Sequence, residues 1–501
     1  MFRRRFSGRA YVAAWKVWLP VLAMLVGLEV SFDSWFWKIP KISGANADFG
    51  YQFLVDAHPL RQVPAPETLR VLAFGSSVSG SFDPRQVDSL FAAADPETDF
   101  EVHRLLLPAA HPTDYVLYFG NTDLAPPQVV VILFNLVDFL FSGSDRDANP
   151  TLRYILPPLV LREQRREHMD VAGELDLLAA EASDLYRFRK PLRSALQDHV
   201  RAAGRWLRSR DTGQAYGIHA DGHTERRFGF PVAAGAPFDF RYFVDPEWLL
   251  QRGVVRVRVE SAGTVLAERV ETRSGWQQIA IPAGAATGML DVVLDSTWSP
   301  RVTGVEDVRL LGVRLAPELV DAAGPVGAAP FFLRPREPAD IDSLLRMGGA
   351  RGEEFLARWD ETLEADTRFG HRFRLYRDAK RAVAERAFVV DAEYEAIGEL
   401  TAHFTDLGAT VILVNTPESP LMLADYGASE YYRAYREYFA QVAADHPGAS
   451  FVDLSEVLPA EDFNDLHHPN FVGSIKLGPV YTDVIRAALG RLPGQAIVEE
   501  P

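Results

Sequence analysis

Two short stretches at opposite ends of the chain carry residue types that can do nucleophilic chemistry. Near the start, Val71-Leu72-Ala73-Phe74 runs directly into Gly75-Ser76-Ser77, and Asp83-Pro84 follows. Four apolar residues in a row read as a short buried strand. An aspartate before a proline reads as an N-cap followed by the residue best suited to the first helical position. A hydroxyl on a tight turn at the carboxyl end of a parallel strand stands where open α/β sheets hold their ligands. Near the other end, Asp465-Leu466-His467-His468-Pro469-Asn470 places a carboxylate one helical turn's spacing ahead of an imidazole. A serine hydroxyl is a poor nucleophile until a base takes its proton, and an imidazole serves as that base when a carboxylate orients it. Taken singly, each stretch has a plainer reading: a strand-capping loop, and a polar loop before a last helix that starts at Phe471 with Asn470 as its N-cap.

Together the two stretches resemble the SGNH (GDSL-type) hydrolase superfamily. Its nucleophile sits in an N-terminal Gly-Asp-Ser block, and its other catalytic partners sit in a C-terminal Asp-x-x-His-Pro block. Matched by position, the resemblance implies Ser77 as nucleophile, His468 as base and Asp465 as the acid that orients it. Ser76 replaces the family's aspartate, as in membrane-anchored branches that carry Gly-Ser-Ser, and Gly473 fits the pattern after the histidine. Two positions depart from the family. Leu107-Pro108-Ala109 has alanine where the oxyanion glycine belongs. Asn135-Leu136-Val137-Asp138 stands for Gly-x-Asn-Asp, so the oxyanion asparagine is missing or displaced. Gly75, Ala109 and Asn135 are candidate oxyanion or pocket positions. Asn415, which ends a strand in Asn415-Thr416-Pro417, is a further pocket candidate, with a plain strand-ending turn as the alternative.

The layout also resembles the membrane-bound branch that acylates bacterial cell-surface polymers, such as the alginate O-acetylation proteins and the D-alanyl transfer protein of teichoic acids. That resemblance implies an acyl-serine intermediate, an exported polysaccharide as acceptor and a multi-pass membrane acyltransferase as acyl donor. An esterase that deacylates a glycan is the second expectation, and a non-catalytic polysaccharide-binding or assembly protein the third.

Composition narrows the field. A chain of 501 residues exceeds one ordinary core, so about two or three folded units are expected. Charged residues at 24% and hydrophobic residues at 48% are ordinary globular values. A net charge of -16 argues against nucleic acid as a partner. With no cysteine, disulfides, thiolate metal sites and a thiol nucleophile are excluded. Of the twelve histidines, only His219 and His223 have His-x-x-x-His spacing, and Gly217 and Gly222 speak against the helix a zinc hydrolase needs there. No metal and no cofactor are expected.

The elements that position the two stretches follow from periodicity. Arg3, Arg4, Arg5 and Arg9 precede an apolar run over 10–30 broken by Lys16, Pro20 and Glu29. Its length suits one bilayer crossing, and the basic flank predicts the N-terminus inside and the remainder outside, in the periplasm of an inner-membrane protein, with a cleaved signal peptide and then an amphipathic surface helix as the alternatives. Trp35, Phe36 and Trp37 read as an interfacial anchor, and 38–68 as linker. Strands over 71–74, 101–107 and 129–135 alternate with helices over 84–94 and 113–121, predicting a parallel sheet covered on both faces. Residues 160–210 read as charged helix. Between 216 and 317 short β-type runs recur at 238–244, 254–260, 265–270, 277–281, 289–294 and 308–315, suggesting an inserted β-sandwich that resembles carbohydrate-binding modules. Its aromatics Phe240, Tyr242, Phe243, Trp248, Trp276 and Trp298 are candidates for sugar stacking, with core packing as the alternative. The α/β pattern returns with helices over 392–407 and 430–444 and strands over 410–415 and 450–452. Pro479 after Gly478 is expected to kink or break the last helix. The expected fold class is therefore α/β: a flavodoxin-like three-layer SGNH domain with a parallel sheet, an inserted β-sandwich and an N-terminal transmembrane helix. The expected segments are a 1–37 anchor, 38–215 as the first part of the α/β domain, 216–317 as the insert, 318–490 as the second part and 491–501 as a tail.

Overall fold

A computed structural model describes residues 8–36, 49–140, 171–189, 215–298, 311–323 and 368–490. A few positions within 215–298 are excepted, and isolated residues between these stretches are also described. The expected tail and most of the charged helical stretch over 160–210 lie outside the described residues.

The architecture is mixed α/β. Five strands, β1 (Thr68–Gly75), β2 (Asp99–Leu106), β3 (Val129–Phe134), β12 (Thr410–Asn415) and β13 (Ala449–Asp453), form one parallel sheet in the order β13-β12-β3-β1-β2. Strands β3 and β12 are buried throughout, as both-face coverage requires. One face packs against α2 (Phe49–Ala57), α4 (Pro112–Gly120), α8 (Ala392–Asp406) and α10 (Glu430–Asp445), through residues such as Phe53, Tyr118, Ile397 and Phe439. The other face packs against α3 (Pro84–Ala94) and α11 (Phe471–Leu489), through Val87, Phe91, Leu477 and Tyr481. Alternate residues of β1 serve the two layers: Leu72 and Phe74 in one, Val71 and Ala73 in the other.

Between the two halves of this sheet lie two antiparallel sheets. One contains β4 (Tyr216–Ile218), β5 (Thr224–Pro231), β7 (Val255–Ser261), β8 (Thr264–Glu271) and β10 (Met289–Leu294), in the order β4-β5-β10-β7-β8. The other contains β6 (Phe238–Val244), β9 (Gly275–Ile281) and β11 (Arg314–Leu315), in the order β11-β6-β9. Their inward faces share one core that includes Phe228, Phe240, Val257, Ile279 and Leu290. The end of the run expected at 308–315 is strand β11, and its first residues lie outside the described set.

Other helices include α1 (Gly8–Val30), α5 (Val171–Ala182), α6 (Asp184–Arg187), α7 (Arg368–Ala384) and α9 (Pro420–Tyr426), besides short ones over Phe32–Trp35, Pro246–Arg252 and Pro317–Ala323. Among the described residues no helix is long and apolar enough to cross a membrane. The anchor expected over 1–37 thus rests on sequence pattern. Phe36, expected at an interface, instead stacks on Phe32 at 4.2 Å and packs at 5.1 Å from Phe188, and all three rings are buried. Part of the expected linker is likewise core. Phe53, Leu54 and Ala57 of α2 are buried, in a helix too short for its period to stand out.

The last helix runs unbroken through Pro479. Proline cannot bond the carbonyl four residues earlier. That carbonyl, of Ile475, instead accepts from the Gln86 side chain at 2.8 Å, and a β-carbon on Gly478 would collide with the same glutamine. The break is avoided because α3 supplies the missing donor.

Gly75 closes β1 against β3. A β-carbon there would lie 2.1 Å from the Leu133 carbonyl oxygen, and backbone cannot yield as a flexible side chain does. Gly75→Ala is expected to lower stability by roughly 2–3 kcal/mol in chemical denaturation. An unchanged midpoint would show that the two strands are less closely packed than described.

Candidate active site

The turn after β1 is held from several sides. Ser76 caps the short helical turn Ser77–Ser81, its hydroxyl accepting from the Val78 N–H at 3.4 Å. The Ser79 hydroxyl lies within bonding reach of the Gly75 and Ser76 carbonyls at 3.0 and 2.8 Å. Tyr115 of α4 donates to the Gly75 carbonyl at 2.6 Å. Ser77 is left half-buried at the carboxyl edge of the sheet, while its neighbours Ser76 and Val78 are buried.

The loop before α11 reaches the same edge. Phe463 and Pro469 pair across its base, the Asn464 N–H donates to the His468 carbonyl at 2.9 Å, and the Asn470 N–H donates to the Asp462 carbonyl at 2.7 Å. Asn470 then caps α11 by accepting from the Gly473 N–H at 3.0 Å. Inside this frame Asp465 Oδ1 accepts from the N–H groups of His467 and His468 at 2.9 and 2.8 Å. Asp465 Oδ2 lies 2.7 Å from His468 Nδ1, and His468 Nε2 lies 2.9 Å from Ser77 Oγ. Burial pushes the Asp465 carboxyl up, but the neighbouring His467 and His468 rings, the bond from His468 and the His467 N–H outweigh it and hold the group far below the usual carboxylate range. An ionised Asp465 draws the ring proton to Nδ1 and leaves Nε2 free to accept the serine proton.

The adjacent histidines have different surroundings. His467 is buried, with its ring 4.2 Å from that of His468 and edge-on to Tyr376 of α7 at 5.0 Å. It is wedged behind the ring that faces Ser77. Asp465, His467 and His468 each bring one metal-ligating atom within 4.8 Å of the others. However, Asp465 and His468 bond each other, and the far nitrogen of His468 meets Ser77.

Strand register explains the two departures noted in the sequence. Gly75 lies opposite Leu106 on one side and Leu133 on the other, so the chain ends beyond β2 and β3 flank Ser77. Ala109, two residues beyond Leu107, has φ 59°, the left-handed region that glycine enters freely and alanine at a cost. Alanine here keeps a glycine-like backbone. Asn135 stands as far beyond Leu133 as Ser77 does beyond Gly75. Its Oδ1 accepts from the Val137 N–H at 3.0 Å, whereas its buried Nδ2 makes no hydrogen bond among the described residues. A buried amide donor without a partner is unusual, because such groups are normally paired.

Asp138 holds the Asn135 turn together. Its carboxyl accepts from the Asn135 N–H at 3.0 Å, and its carbonyl lies 3.4 Å from His111 Nδ1. Burial pushes this carboxyl up to about 6, against bonds from the Ser76 hydroxyl and the Asn135 N–H and the nearby rings of His111 and His468. Gly75, Ser76, Tyr115 and Asp138 also line a cavity of about 20 Å³ behind the turn, room for roughly one water. Sequence reading did not single out Asp138 for a role, because its importance depends on burial.

Asn415 is placed differently from the expectation. It is fully buried, donating to Tyr432 Oη at 3.0 Å and to Asp453 Oδ1 at 2.8 Å and accepting from Tyr435 at 3.1 Å. Its side chain braces the sheet edge from inside. The His219–His223 pair lies far along the chain at a hairpin, where the His219 N–H donates to the His223 carbonyl at 2.7 Å. Of the six aromatics, for most of which core packing was the expected role over sugar stacking, Phe240, Tyr242, Phe243, Trp248 and Trp298 are buried, and Trp276 is exposed.

A family model matches residues 46–490. The chain belongs to that family, which is uncharacterized. An uncharacterized protein of Leptospira interrogans is 23% identical over 489 residues, which cover 89% of each chain. Among solved structures, a family two carbohydrate esterase from Clostridium thermocellum is similar at 11% identity, covering 53% of this chain and 96% of that one, with a TM-score of 0.17. A carbohydrate esterase family 2 enzyme plus carbohydrate-binding domain from Corynascus is similar at 15% identity, covering 53% and 94%, also with a TM-score of 0.17. At such scores the likeness carries no weight for function.

Two measurements follow from this geometry. Ser77→Ala is expected to abolish labelling by a fluorophosphonate, while Ser76→Ala retains it. His468→Ala is expected to slow labelling by about 10²–10⁴-fold, and His467→Ala by much less. Loss in His467→Ala with retention in His468→Ala would reverse the roles of the two rings.

The second measurement concerns pH. A carboxyl whose folded pKa lies above its ordinary value of 3.8 contributes stability that is complete below that value and lost as pH rises through about 6. Asp138→Asn is therefore expected to gain on wild type between about pH 4 and 7, by on the order of 1–3 kcal/mol. Thermal unfolding across that range checks it, and a difference independent of pH would refute the shift.

Proposed function

We propose that this protein is a membrane-anchored, extracytoplasmic serine acyltransferase of SGNH type that acylates an exported polysaccharide. The observation that carries the reading is the continuous line from Asp465 through His468 to Ser77, with contacts of 2.7 and 2.9 Å. In this reading the Ser77 oxygen attacks the acyl carbonyl as His468 Nε2 takes its proton. The Asn135 side-chain amide supplies an oxyanion donor, and His468 returns the proton to the leaving group. The acyl-serine then passes its acyl group to a sugar hydroxyl; His468 removes that hydroxyl's proton and gives it to the Ser77 oxygen as the acyl–serine bond breaks. A multi-pass membrane acyltransferase would deliver acyl groups, and a tether at the membrane would raise their effective concentration at Ser77. The β-rich insert would hold the polymer.

Hydrolysis is the second reading, with water in place of the sugar. The observation that favours it is access: the His468 side chain keeps 24% of its surface exposed, so water reaches the base. Transfer outruns hydrolysis only where the acceptor is positioned and water is kept from the acyl-serine.

The test gives the full chain in detergent an activated acetyl ester, with and without acidic and neutral oligosaccharides. Phe32 and Phe36 belong to the core, so a version trimmed after them is unsuitable. Acetylated sugar that disappears in Ser77→Ala is the expected result. Acetate release untouched by any oligosaccharide, with no acetylated product by mass spectrometry, would assign the protein to the esterases. A lack of both products and of fluorophosphonate labelling would exclude either enzyme.

A further inference from the structure

Helix α5 is apolar on both of its sides. Val171, Leu175, Leu178 and Ala182 share one side at helical spacing, and that side faces outward, with the first three 74%, 62% and 41% exposed. The opposite side packs Leu177 and buried Ala180 on the core, while Glu181 is exposed beside the outward stripe. Asp176, which solvent would normally claim, is turned toward the protein, accepting from Tyr186 at 2.8 Å and Arg189 at 2.7 Å. A helix packed on a water-soluble domain ordinarily turns a polar face outward, not a second apolar one.

The neighbouring part of α1 is equally exposed. Leu22, Met24, Leu25 and Val26 are each between 45% and 58% exposed, and since they are consecutive or nearly so, they cover all sides of the helix. The end of α1 is joined to the α5–α6 corner. Glu29 accepts from the Ser183 hydroxyl at 2.9 Å and from the Asp184 and Leu185 N–H groups at 2.6 and 3.2 Å. Phe32 stacks on Phe188, just past α6, at 5.6 Å. The carboxylate that interrupts the apolar run is thus compensated by the protein itself, and the end of α1 is fastened to the corner that α5 leads into.

We propose that α5 and the second half of α1 form one apolar face that lies in the acyl-chain region of a lipid bilayer, so that the α/β domain rests on the membrane. This rests on the membrane-anchored reading above, though not on α1 crossing the bilayer. The all-round exposure of α1 selects lipid over a protein partner: a partner groove covers one side of a helix, whereas hydrocarbon surrounds it. The α5 stripe has the same chemistry.

The absence of cysteine makes the test direct. Full-length Leu22→Cys, Leu175→Cys, Leu178→Cys and, as a control on β8, Val265→Cys are each labelled with an environment-sensitive fluorophore. They are reconstituted into phosphatidylethanolamine–phosphatidylglycerol vesicles. Brominated acyl chains and aqueous iodide serve as quenchers, and fluorophosphonate labelling of Ser77 verifies the fold. Brominated lipid is expected to quench positions 22, 175 and 178 several-fold more than position 265. Lipid quenching at 22, with 175 and 178 as open to iodide as 265, would overturn the inference while leaving the anchor. No lipid quenching at 22 or 175 would remove both. Shielding of 175 from both quenchers would replace lipid with a second copy or a partner protein.

Discussion

The parallel pairing of β1 between β2 and β3 governs the geometry of the candidate site. Three neighbouring strands that end together deliver three chain ends to one edge, and the register decides which residues meet there. Gly75 sits opposite both Leu106 and Leu133, so Ser77, Ala109 and Asn135 leave the sheet as neighbours. A one-residue slip of β3 would exchange its two buried faces, and the apolar layers on both sides resist that. The register is therefore held by burial far from any reacting atom.

The fourth component comes from the other end of the chain and needs its own support. The loop before α11 is anchored to the sheet through the segment after β12. The Ser419 N–H donates to the Leu466 carbonyl at 3.1 Å, and the Glu418 N–H donates to the Ser455 carbonyl at 3.0 Å. Glu418 is fully buried and bonded to Lys380 of α7 and to Tyr426 of α9. A buried ion pair of this kind is weak evidence for stability, because desolvation offsets much of its attraction. Here it has a geometric consequence, since it fixes the segment on which the Asp465–His468 loop leans. Tyr376, one turn before Lys380 on the same helix, packs on His467. One helix thus supports the base by two routes.

The two structural units have different surface chemistry. The β-rich insert buries nearly all of its aromatic rings among the described residues, so its stability rests on those side chains and Trp276 is left outside. The α5–α6 corner differs, holding Asp176 against Tyr186 and Arg189 while Val171, Leu175 and Leu178 stay exposed. Composition averages these regions into an ordinary mixture and conceals both.

Local pattern alone determined much of this protein. Strands 129–135 and 410–415 are near-continuous apolar runs, and Asp83 and Asn470 are helix caps whose side chains accept the N–H bonds that such residues make. The spacing of Asp465 and His468 suffices for their contact, because a turn of that length closes on itself. What sequence could not supply depends on partners distant in the chain. Asn135 is a candidate from a displaced motif, yet only burial shows that its side-chain amide is left without a partner among the described residues. Asn415 ended a strand at the expected edge, yet its amide is taken up by two tyrosines and an aspartate. Pro479 should have broken a helix, and Gln86, almost four hundred residues earlier, satisfies the carbonyl it leaves free. The 368–384 helix has a mean hydropathy too polar to announce a core element, although Lys380 on it is fully buried. Periodicity reports the environment of a segment averaged over its own neighbours. Hydrogen bonding and burial between remote segments decide which individual side chain is spent on structure and which is left to react.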